Sequence, residues 1–250
     1  MNACPRSRPL AVSGAFVLAA LAVTGCGRVP GQFEILNDQV PNSAGTCSVP
    51  VSPTEYMGEG LMDVSIVRAA FTSAYLFFPL IENNLPGTGA PNDPNQIQIS
   101  GFDVDISGIG PATASAQQVL DDNQALLHFR VPWSGGVSSA GGQISAMVEA
   151  VPVPLAVQLA SAGGLGVIPS LTLNLRVQAV GATNSGRSLT SDPFNFPLKV
   201  CNGCLVGHVA PCPYTPANTG NACNPAQDQI VDCCTENGNL ICPAAGGPTQ

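Results

Sequence analysis

Charged side chains are scarce in this chain of 250 residues. Asp, Glu, Lys and Arg together make up 10% of the sequence, whereas about 25% is usual for a globular protein. Apart from arginine, the bases are the single lysine, Lys199, and two histidines, His128 and His208. Polar uncharged residues and glycine must therefore cover much of the surface, and few side chains remain for acid–base catalysis.

Basic residues are scarcer than acidic ones. The sequence has 8 Lys and Arg against 16 Asp and Glu, which gives a formal net charge of −8. Nucleic acids and anionic lipid headgroups repel a chain of this charge. We therefore predict that the protein binds neither nucleic acid nor an anionic headgroup surface.

Sequence motifs of common enzyme classes are missing. The chain has no Gly-x-Ser-x-Gly, Ser-x-x-Lys, His-Glu-x-x-His, Gly-x-Gly-x-x-Gly or P-loop string, the motifs typical of several hydrolase and nucleotide-binding families. We predict a protein that is not an enzyme, with no catalytic residues and no cofactor. Carboxylates are present, so a hydrolase that uses two acidic side chains remains an alternative.

Long apolar runs are missing too, apart from one near the N-terminus. The run from Leu10 to Val23 follows Arg6 and Arg8, with no acidic residue before it. A short basic start followed by 10–15 apolar residues is typical of a secretory signal, and the run is too short to span a bilayer, which takes about 20 residues.

The end of this run, Val23-Thr24-Gly25-Cys26, resembles a bacterial lipobox. The resemblance is to bacterial outer-membrane lipoproteins. It implies that residues 1–25 are a signal peptide, that the Cys26 thiol carries a diacylglycerol, and that the new amine is acylated. Several acyl chains anchor a protein stably to a membrane. Gly27, in place of Asp after the lipidated cysteine, implies the outer membrane. An ordinary signal peptide that contains a cysteine is the alternative.

Composition divides the rest of the chain into three parts. Residues 26–54 are rich in proline and glycine, which favours a lipidated flexible tether. Residues 55–200 alternate between apolar and polar positions and are predicted to form the folded domain. Residues 201–250 contain seven of the ten cysteines and few large apolar residues, so a segment of this size needs disulfides to hold it.

The alternation in residues 55–200 has the period of two expected of strands. It is clearest in Leu171–Ala179 and Phe194–Val200, and the polar segment Gly181–Gly186 between them predicts a hairpin. Further segments show the same period: Met62–Ile66, Gln96–Ser107, Ala125–Val131 and Ile144–Ala150.

Three details complete the predicted domain. The phase of alternation changes at Gly101, which predicts a β-bulge. Phe71–Ile81 is apolar on both faces and favours a central strand, and Leu155–Ala162 favours a short helix. About seven strands with Gly, Pro and Asn turns between them indicate a sandwich. We predict an all-β protein, with an antiparallel Ig-like β-sandwich and a small disulfide-rich C-terminal appendix.

The cysteine count predicts closed pairing. The signal peptide removes Cys4 and the lipid takes Cys26, so that eight of the ten cysteines remain. An even number in an exported protein fits four disulfides, with 105 connectivities open. Because the tail holds an odd number, Cys47 must pair with a tail cysteine. The disulfide candidates are Cys47, Cys201, Cys204, Cys212, Cys223, Cys233, Cys234 and Cys242. The neighbours Cys233 and Cys234 are expected to take separate partners.

The tail cysteines have two possible uses other than disulfides. Cys201 and Cys204 have the spacing of metal ligands, with His208 nearby, but a structural zinc site needs a second pair, and an oxidising compartment favours disulfides. We therefore predict no metal site. A thioredoxin-type role for the pair requires a βαβ setting, which the all-β prediction lacks.

Outside the tail, the candidate ligands are acidic. Asp103 and Asp105 lie on one strand face, and Asp121-Asp122-Asn123 is predicted to be a turn. Together they offer oxygen ligands of the kind that Ca²⁺ takes, but we favour the simpler interpretation, an outward polar face and an ordinary turn. His128 is predicted to be a surface strand residue and Trp133 a residue at the core edge.

These observations lead to one main functional prediction. The chain is expected to be a lipid-anchored cell-envelope lipoprotein at the outer membrane, facing the periplasm or the cell surface. Its sandwich would be a non-enzymatic structural or interaction module, with an envelope protein or a glycan as partner. The alternatives are a carboxylate-based carbohydrate-active hydrolase and a metal-binding envelope protein.

Overall fold

The computed structural model describes residues 31–41, 47–67, 73–89, 92–110 and 112–243. The predicted signal peptide, residues 1–25, and the predicted lipidation site, Cys26, lie outside the described residues. Strands dominate the described part, so the all-β prediction is confirmed. The strands are β1 Phe33–Gln39, β2 Tyr56–Met57, β3 Gly60–Asp63, β4 Tyr75–Phe77, β5 Pro79–Asn83, β6 Ile97–Gly108, β7 His128–Val137, β8 Gly142–Ser145, β9 Val148–Val151, β10 Leu171–Thr183, β11 Ser188–Thr190, β12 Phe194–Cys201, β13 Val206–Pro211, β14 Val231–Glu236 and β15 Asn239–Ile241.

The larger sheet has the strand order β3-β12-β10-β6-β7, and β11 adds to β10. Its pairs are antiparallel except β3 with β12, which is parallel. Along β10 every second residue from Leu171 to Ala179 is buried. Alternate side chains of a strand point to opposite faces, so this sheet turns one apolar face inward, as the sequence predicts.

A second layer covers that apolar face. It consists of the sheet β2-β1-β5-β8 and the separate pair β4-β9. Buried residues of both layers form one hydrophobic core, in which the ring of Phe77 lies 5.5 Å from that of Phe196. The architecture is a β-sandwich-like all-β fold.

The predicted bulge at Gly101 is confirmed. The pairing register of β6 with β7 shifts between Ile99 and Gly101, and that of β6 with β10 shifts between Val180 and Gly181. A Cβ at position 101 would lie 2.7 Å from the carbonyl oxygen of Val131. Only glycine lets the two backbones approach this closely.

Helical elements form the connections from β6 to β7 and from β9 to β10. They are α1 Ala114–Asp122, the 3₁₀ turn Gln124–Leu126 and α2 Val153–Ala162. The helix predicted at Leu155–Ala162 is therefore confirmed, and Leu155 and Leu159 are buried. None of the helices in the described ranges has the length and apolarity needed to cross a membrane.

Two predictions near α1 are wrong. Asp121 and Asp122 form the last turn of α1, and Asn123 caps it, so there is no separate turn. The strand predicted from Ala125 begins at His128, because the 3₁₀ turn occupies the residues before it. The N-cap Thr113, whose side chain accepts a hydrogen bond from the Ala116 N–H at 3.2 Å, starts the helix.

The predicted central strand Phe71–Ile81 is in fact two strands. Residues 71 and 72 lie outside the described part, and the rest divides at Phe78 into β4, which pairs with β9, and β5, which pairs with β1 and β8. Pro79, the first residue of β5, has no N–H to donate to a ladder, which is consistent with a break at this point.

The predicted flexible tether, residues 26–54, is wrong for its middle part. Residues 33–39 are β1, which pairs with β2 and β5 inside a sheet. Phe33 and Ile35 are buried, and their spacing of two is a strand signal that the surrounding prolines and glycines outweigh in the sequence. The Gln39 side chain also pairs with the backbone of Ser52: its Nε2 donates to the Ser52 carbonyl at 2.7 Å, and its Oε1 accepts from the Ser52 N–H at 2.8 Å.

The C-terminal segment is disulfide-rich, as predicted, but it is not separate from the sandwich. The predicted boundary between residues 200 and 201 falls inside β12. Further on, Ala226 and Gln227 are fully buried, and the Asp63 N–H donates to the Ala226 carbonyl at 2.9 Å. The segment therefore supplies part of the core before it forms its own sheet, β13-β14-β15.

Candidate functional site

A cleft of about 470 Å³ lies where the C-terminal segment meets the larger sheet. Leu61 of β3 and Lys199 of β12 line it on one side, and Asn221 and Asp228 of the C-terminal segment line it on the other. Its apolar wall includes Val40, Pro41, Met57 and Pro169. Concave sites of this size with a few polar groups on an apolar wall are typical of small-ligand binding.

Asp228 is the central acidic group of the cleft. Its carboxylate accepts hydrogen bonds from the Leu61 N–H at 2.8 Å, the Tyr75 hydroxyl at 3.2 Å and the Gln227 amide at 3.2 Å. Burial raises the pKa of Asp228 to about 6, against the lowering effect of these hydrogen bonds. The side chain can therefore gain or lose a proton close to neutral pH.

The backbone of Asp228 is held in an unusual conformation. Its φ of +63° lies in the left-handed region, which aspartate tolerates better than most residues other than glycine. Its N–H donates to the Leu61 carbonyl at 2.9 Å, while the Leu61 N–H donates to its side chain. These paired contacts with β3 fix the direction of the carboxylate.

Tyr75 supplies the hydroxyl that faces Asp228. The residue is fully buried, and burial together with the charges of Asp228 and Asp38 raises the pKa of its hydroxyl well above the usual value. Tyr75 therefore stays protonated and remains a donor. Its position depends on Gly60, because a Cβ there would lie 2.7 Å from Cζ of the tyrosine.

Asp38 is a second buried acid near this group. Its Oδ1 accepts from the Phe78 N–H at 2.7 Å, while its buried Oδ2 has no hydrogen-bond partner among the described residues. Burial raises the pKa of Asp38 well above the usual value, and the charge of Asp228 raises it further. The interior behind the cleft therefore favours neutral acids.

The mouth of the cleft carries an ion pair. Nζ of Lys199 lies 2.7 Å from Oε1 of Glu59, and both side chains are partly exposed. Asn221 lies deeper: its Oδ1 accepts from the Cys223 N–H at 2.9 Å, and its Nδ2 has no partner among the described residues. The cleft therefore presents carboxylate acceptors and an ammonium donor, which complement hydroxyl or amide groups on a ligand.

The eight predicted disulfide cysteines are all paired. The bonds join Cys47 to Cys223, Cys201 to Cys204, Cys212 to Cys234, and Cys233 to Cys242. Cys47 thus ties the N-terminal part to the tail, and the neighbours Cys233 and Cys234 take separate partners, as predicted. The part of the chain that the structure describes contains no free thiol.

The zinc alternative finds no support at the tail. The Cys201 and Cys204 sulfurs are bonded to each other, whereas zinc binds thiolates. The third side chain that the fold brings within 4.8 Å of the two sulfurs is the carboxylate of Asp63. His208 instead faces the ring of Tyr214, with 5.5 Å between the ring centroids.

Two of the acidic residues proposed for calcium, Asp103 and Asp105, are paired with basic side chains. Asp105 accepts from Nδ1 of His128 at 2.9 Å and from Nη1 of Arg176 at 2.6 Å, and Asp103 lies 3.8 Å from Arg130. The hydrogen bond from His128 is the largest of the effects that lower the pKa of Asp105. These charges are compensated within the sheet face, which leaves little for a calcium ion.

Two strand residues lie where the sequence predicts them. The His128 side chain is 61% exposed on the outer face of β7, so it is a surface residue. Trp133 is partly buried against the core, with its ring edge-on to Phe102 at 5.9 Å. Both predictions are confirmed.

The cleft itself was not predicted. Its polar lining includes Glu59, Lys199 and Asp228, which lie far apart in the sequence and belong to no common motif. The one sequence signal is the odd number of tail cysteines, which requires Cys47 to pair with the tail; the structure gives Cys223 as its partner. No protein-family model matches this chain, and no curated protein matches it either.

Proposed function

We propose that this protein is a lipid-anchored lipoprotein of the bacterial cell envelope, sorted to the outer membrane, and that it acts as a non-enzymatic interaction module. The observation that carries the proposal is the cysteine pairing. The four disulfides use every cysteine except Cys4 and Cys26. Closed pairing fits an oxidising compartment, and it leaves Cys26 of the lipobox-like string available for acylation.

The interaction role rests on the cleft and on the sandwich. An Ig-like sandwich presents end loops and edge strands to partners, and we extend that part of the prediction to this chain as a proposal. Asp228, Glu59 and Lys199 offer hydrogen-bond acceptors and a donor beside an apolar wall. An envelope glycan or a polar loop of an envelope protein has the complementary groups.

The anchor is tested by mass spectrometry of the native protein from its own envelope. We expect a mature chain that begins at triacylated Cys26. Cys26→Ser should give a chain without acyl groups that keeps residues 1–25, whereas the control Cys4→Ser should give the same acylated mature chain, because Cys4 belongs to the removed peptide. An unmodified Cys26 in the membrane-bound protein would refute the anchor.

The interaction role is tested by photo-crosslinking in intact cells. A photoreactive amino acid replaces Val40, which lines the cleft, or Ile241, which lies outside it; the two are similarly exposed, at 38% and 44%. We expect a discrete crosslinked partner from position 40 and not from position 241. Recovery of the uncrosslinked protein alone from both positions would contradict the proposal.

A carboxylate-based carbohydrate-active hydrolase is the second candidate. The observation in its favour is that Asp228, with a pKa of about 6, lines the same cleft as Glu59. A protonated acid and an ionised partner are what glycoside hydrolysis needs. Hydrolysis of envelope polysaccharide that Asp228→Asn abolishes and Asp103→Asn leaves unchanged would establish it. The absence of turnover by the unaltered protein would exclude it for those substrates.

A further inference from the structure

The Cys201–Cys204 disulfide closes the shortest loop of the four. Its cysteines are 3 positions apart, against 176, 22 and 9 for the other pairs. In the chain-entropy account, a disulfide stabilises the fold more when it closes a longer loop of the unfolded chain. This bond therefore contributes the least of the four to stability.

The loop that this disulfide closes is also held by a buried carboxylate. Asp63 is fully buried, and its two oxygens accept from the Gly203 N–H at 2.7 Å and from the Leu205 N–H at 2.8 Å. The first of these donors lies between the two cysteines and the second follows them. The carboxylate thus holds the loop by contacts that do not involve sulfur.

Backbone pairing holds the loop from its other sides. Cys201 is the last residue of β12, and its carbonyl accepts from the Val64 N–H at 2.9 Å. The Asn202 N–H donates to the Gly166 carbonyl, also at 2.9 Å. None of these hydrogen bonds involves sulfur, so we expect the loop to stay folded when the disulfide opens.

The two sulfurs differ in their surroundings. Cys201 is fully buried, with Sγ 3.5 Å from the Met62 carbonyl oxygen, which is in place to accept the S–H of a reduced thiol. Cys204 is only partly buried. Thiol–disulfide exchange depends on access to the attacked sulfur, which makes Cys204 the point of attack and Cys201 the leaving group.

We propose that Cys201–Cys204 is an exchangeable disulfide that accepts two electrons from a dithiol. A thiolate of the dithiol attacks Sγ of Cys204, forming a mixed disulfide and breaking the Cys201–Cys204 bond. Cys201 leaves as a thiolate and takes up a proton from water. The second thiolate of the dithiol then attacks the mixed disulfide, so that the dithiol is oxidised and Cys204 is released, to be protonated in turn.

This exchange does not require a thioredoxin-like βαβ active site. It requires an accessible sulfur and a loop that stays folded when the bond opens, and residues 201–205 meet both requirements. The proposal also does not depend on lipidation of Cys26, so a test that refutes the lipid anchor leaves the exchangeable disulfide unaffected, and the reverse also holds.

Graded reduction of the full folded chain tests the proposal. The protein is exposed to dithiothreitol for increasing times, free thiols are trapped with an alkylating reagent, and peptides are quantified by mass spectrometry. We expect Cys201 and Cys204 to be alkylated at least tenfold faster than the other six disulfide cysteines. Reduction of this pair together with, or after, Cys212–Cys234 would overturn the proposal.

A second measurement tests whether the fold depends on the Cys201–Cys204 bond. The double variant Cys201→Ser/Cys204→Ser should remain folded, with a fall in Tm less than half of that caused by Cys47→Ser/Cys223→Ser. A larger fall would show that the bond holds the fold, and that outcome also overturns the proposal.

Discussion

The protonation of a single residue sets the charge at the centre of the cleft. Burial raises the pKa of Asp228 from 3.8 to about 6. Between these two values the folded chain holds a proton that the unfolded chain has released. This group therefore makes folding less favourable as the pH rises through that window, and its penalty is complete above pH 6. Asp38, whose pKa is also raised, acts in the same direction.

Asp228→Asn should remove this pH dependence. The amide oxygen can keep the bond from the Leu61 N–H, and no charge is buried at any pH. Relative to the unaltered protein, we expect the variant to gain up to about 3 kcal/mol of stability between pH 4 and pH 7, since each pKa unit corresponds to about 1.4 kcal/mol. Denaturant unfolding at several pH values measures the difference, in which acids that do not interact with Asp228 cancel, while the pKa of Asp38 loses the contribution of the Asp228 charge. A difference that does not change with pH would contradict the assigned pKa.

Gly60→Ala should disturb the same site by steric conflict. The added Cβ would lie 2.7 Å from Cζ of Tyr75 and 2.9 Å from Cε1 of Phe196, and overpacking of this kind costs about 1–3 kcal/mol. Gly58→Ala is the matched control, because nothing lies within 4 Å of its Cβ position. Thermal unfolding of both variants tests the prediction, and equal Tm values for the two would argue against the tight packing of Tyr75.

At the scale of elements, the outer face of β6, β7 and β10 carries compensated charge. Asp105 pairs with His128 across one ladder and with Arg176 across the other. The side chains are 40–61% exposed, and exposed pairs contribute about 0–1 kcal/mol each. The face is therefore a solvated polar surface of the sheet.

This surface should not respond to calcium. Because Asp103 and Asp105 already have cationic partners, we expect the melting temperature to be the same with EDTA and with added calcium chloride. The measurement is a thermal melt in both conditions, with Asp105→Asn as a parallel sample. A rise in Tm with calcium that Asp105→Asn abolishes would restore the calcium site.

The strand β1 is the element whose role differs most from its prediction. It buries Phe33 and Ile35 and gives β5 its antiparallel partner. Complete burial of such side chains stabilises a fold by about 1.5–3 kcal/mol each. The part of the chain next to the proposed anchor is therefore structural over residues 33–39.

Two truncated chains test whether residues 33–39 are a flexible tether or a strand that stabilises the fold. A chain that begins at Gly31 should fold with an ordinary cooperative melt, whereas a chain that begins at Asn42 should lose about 3–6 kcal/mol from the two buried side chains. Both chains keep Cys47 and all the disulfides. Equal thermal stability of the two chains would mean that β1 does not contribute to the fold.

At the scale of the whole molecule, Cys47–Cys223 joins parts of the chain that are 176 positions apart. The bond holds the segment before β2 against the residues that line the cleft. Cys47→Ser/Cys223→Ser should cost about 4–5 kcal/mol, since the long loop gives the largest entropic gain. Chemical denaturation measures it, with Cys233→Ser/Cys242→Ser, which opens a short loop, as the comparison. A smaller loss for the long loop than for the short one would contradict the entropic account.

The sequence by itself determined the class of fold and the closed set of disulfides. Alternation along Leu171–Ala179 predicts a half-buried strand because side chains of neighbouring residues point to opposite faces. Gly101 predicts a bulge because the phase of that alternation changes there. The even number of cysteines predicts closed pairing and the participation of Cys47. Each of these three inferences depends on local geometry or on counting, and none of them requires knowledge of which segments pack together.

Only the tertiary structure decided the cleft and the surroundings of Cys201–Cys204. Asp228 is ordinary in sequence, and its pKa is raised because packing removes water from it; the hydrogen bond from Tyr75, which packing also brings to its side, only partly opposes that rise. Asp63 holds the loop at Gly203 because β3 pairs with β12 across a gap of more than a hundred residues. Desolvation and long-range hydrogen bonds arise from which segments pack together, and local patterns of sequence do not contain that information.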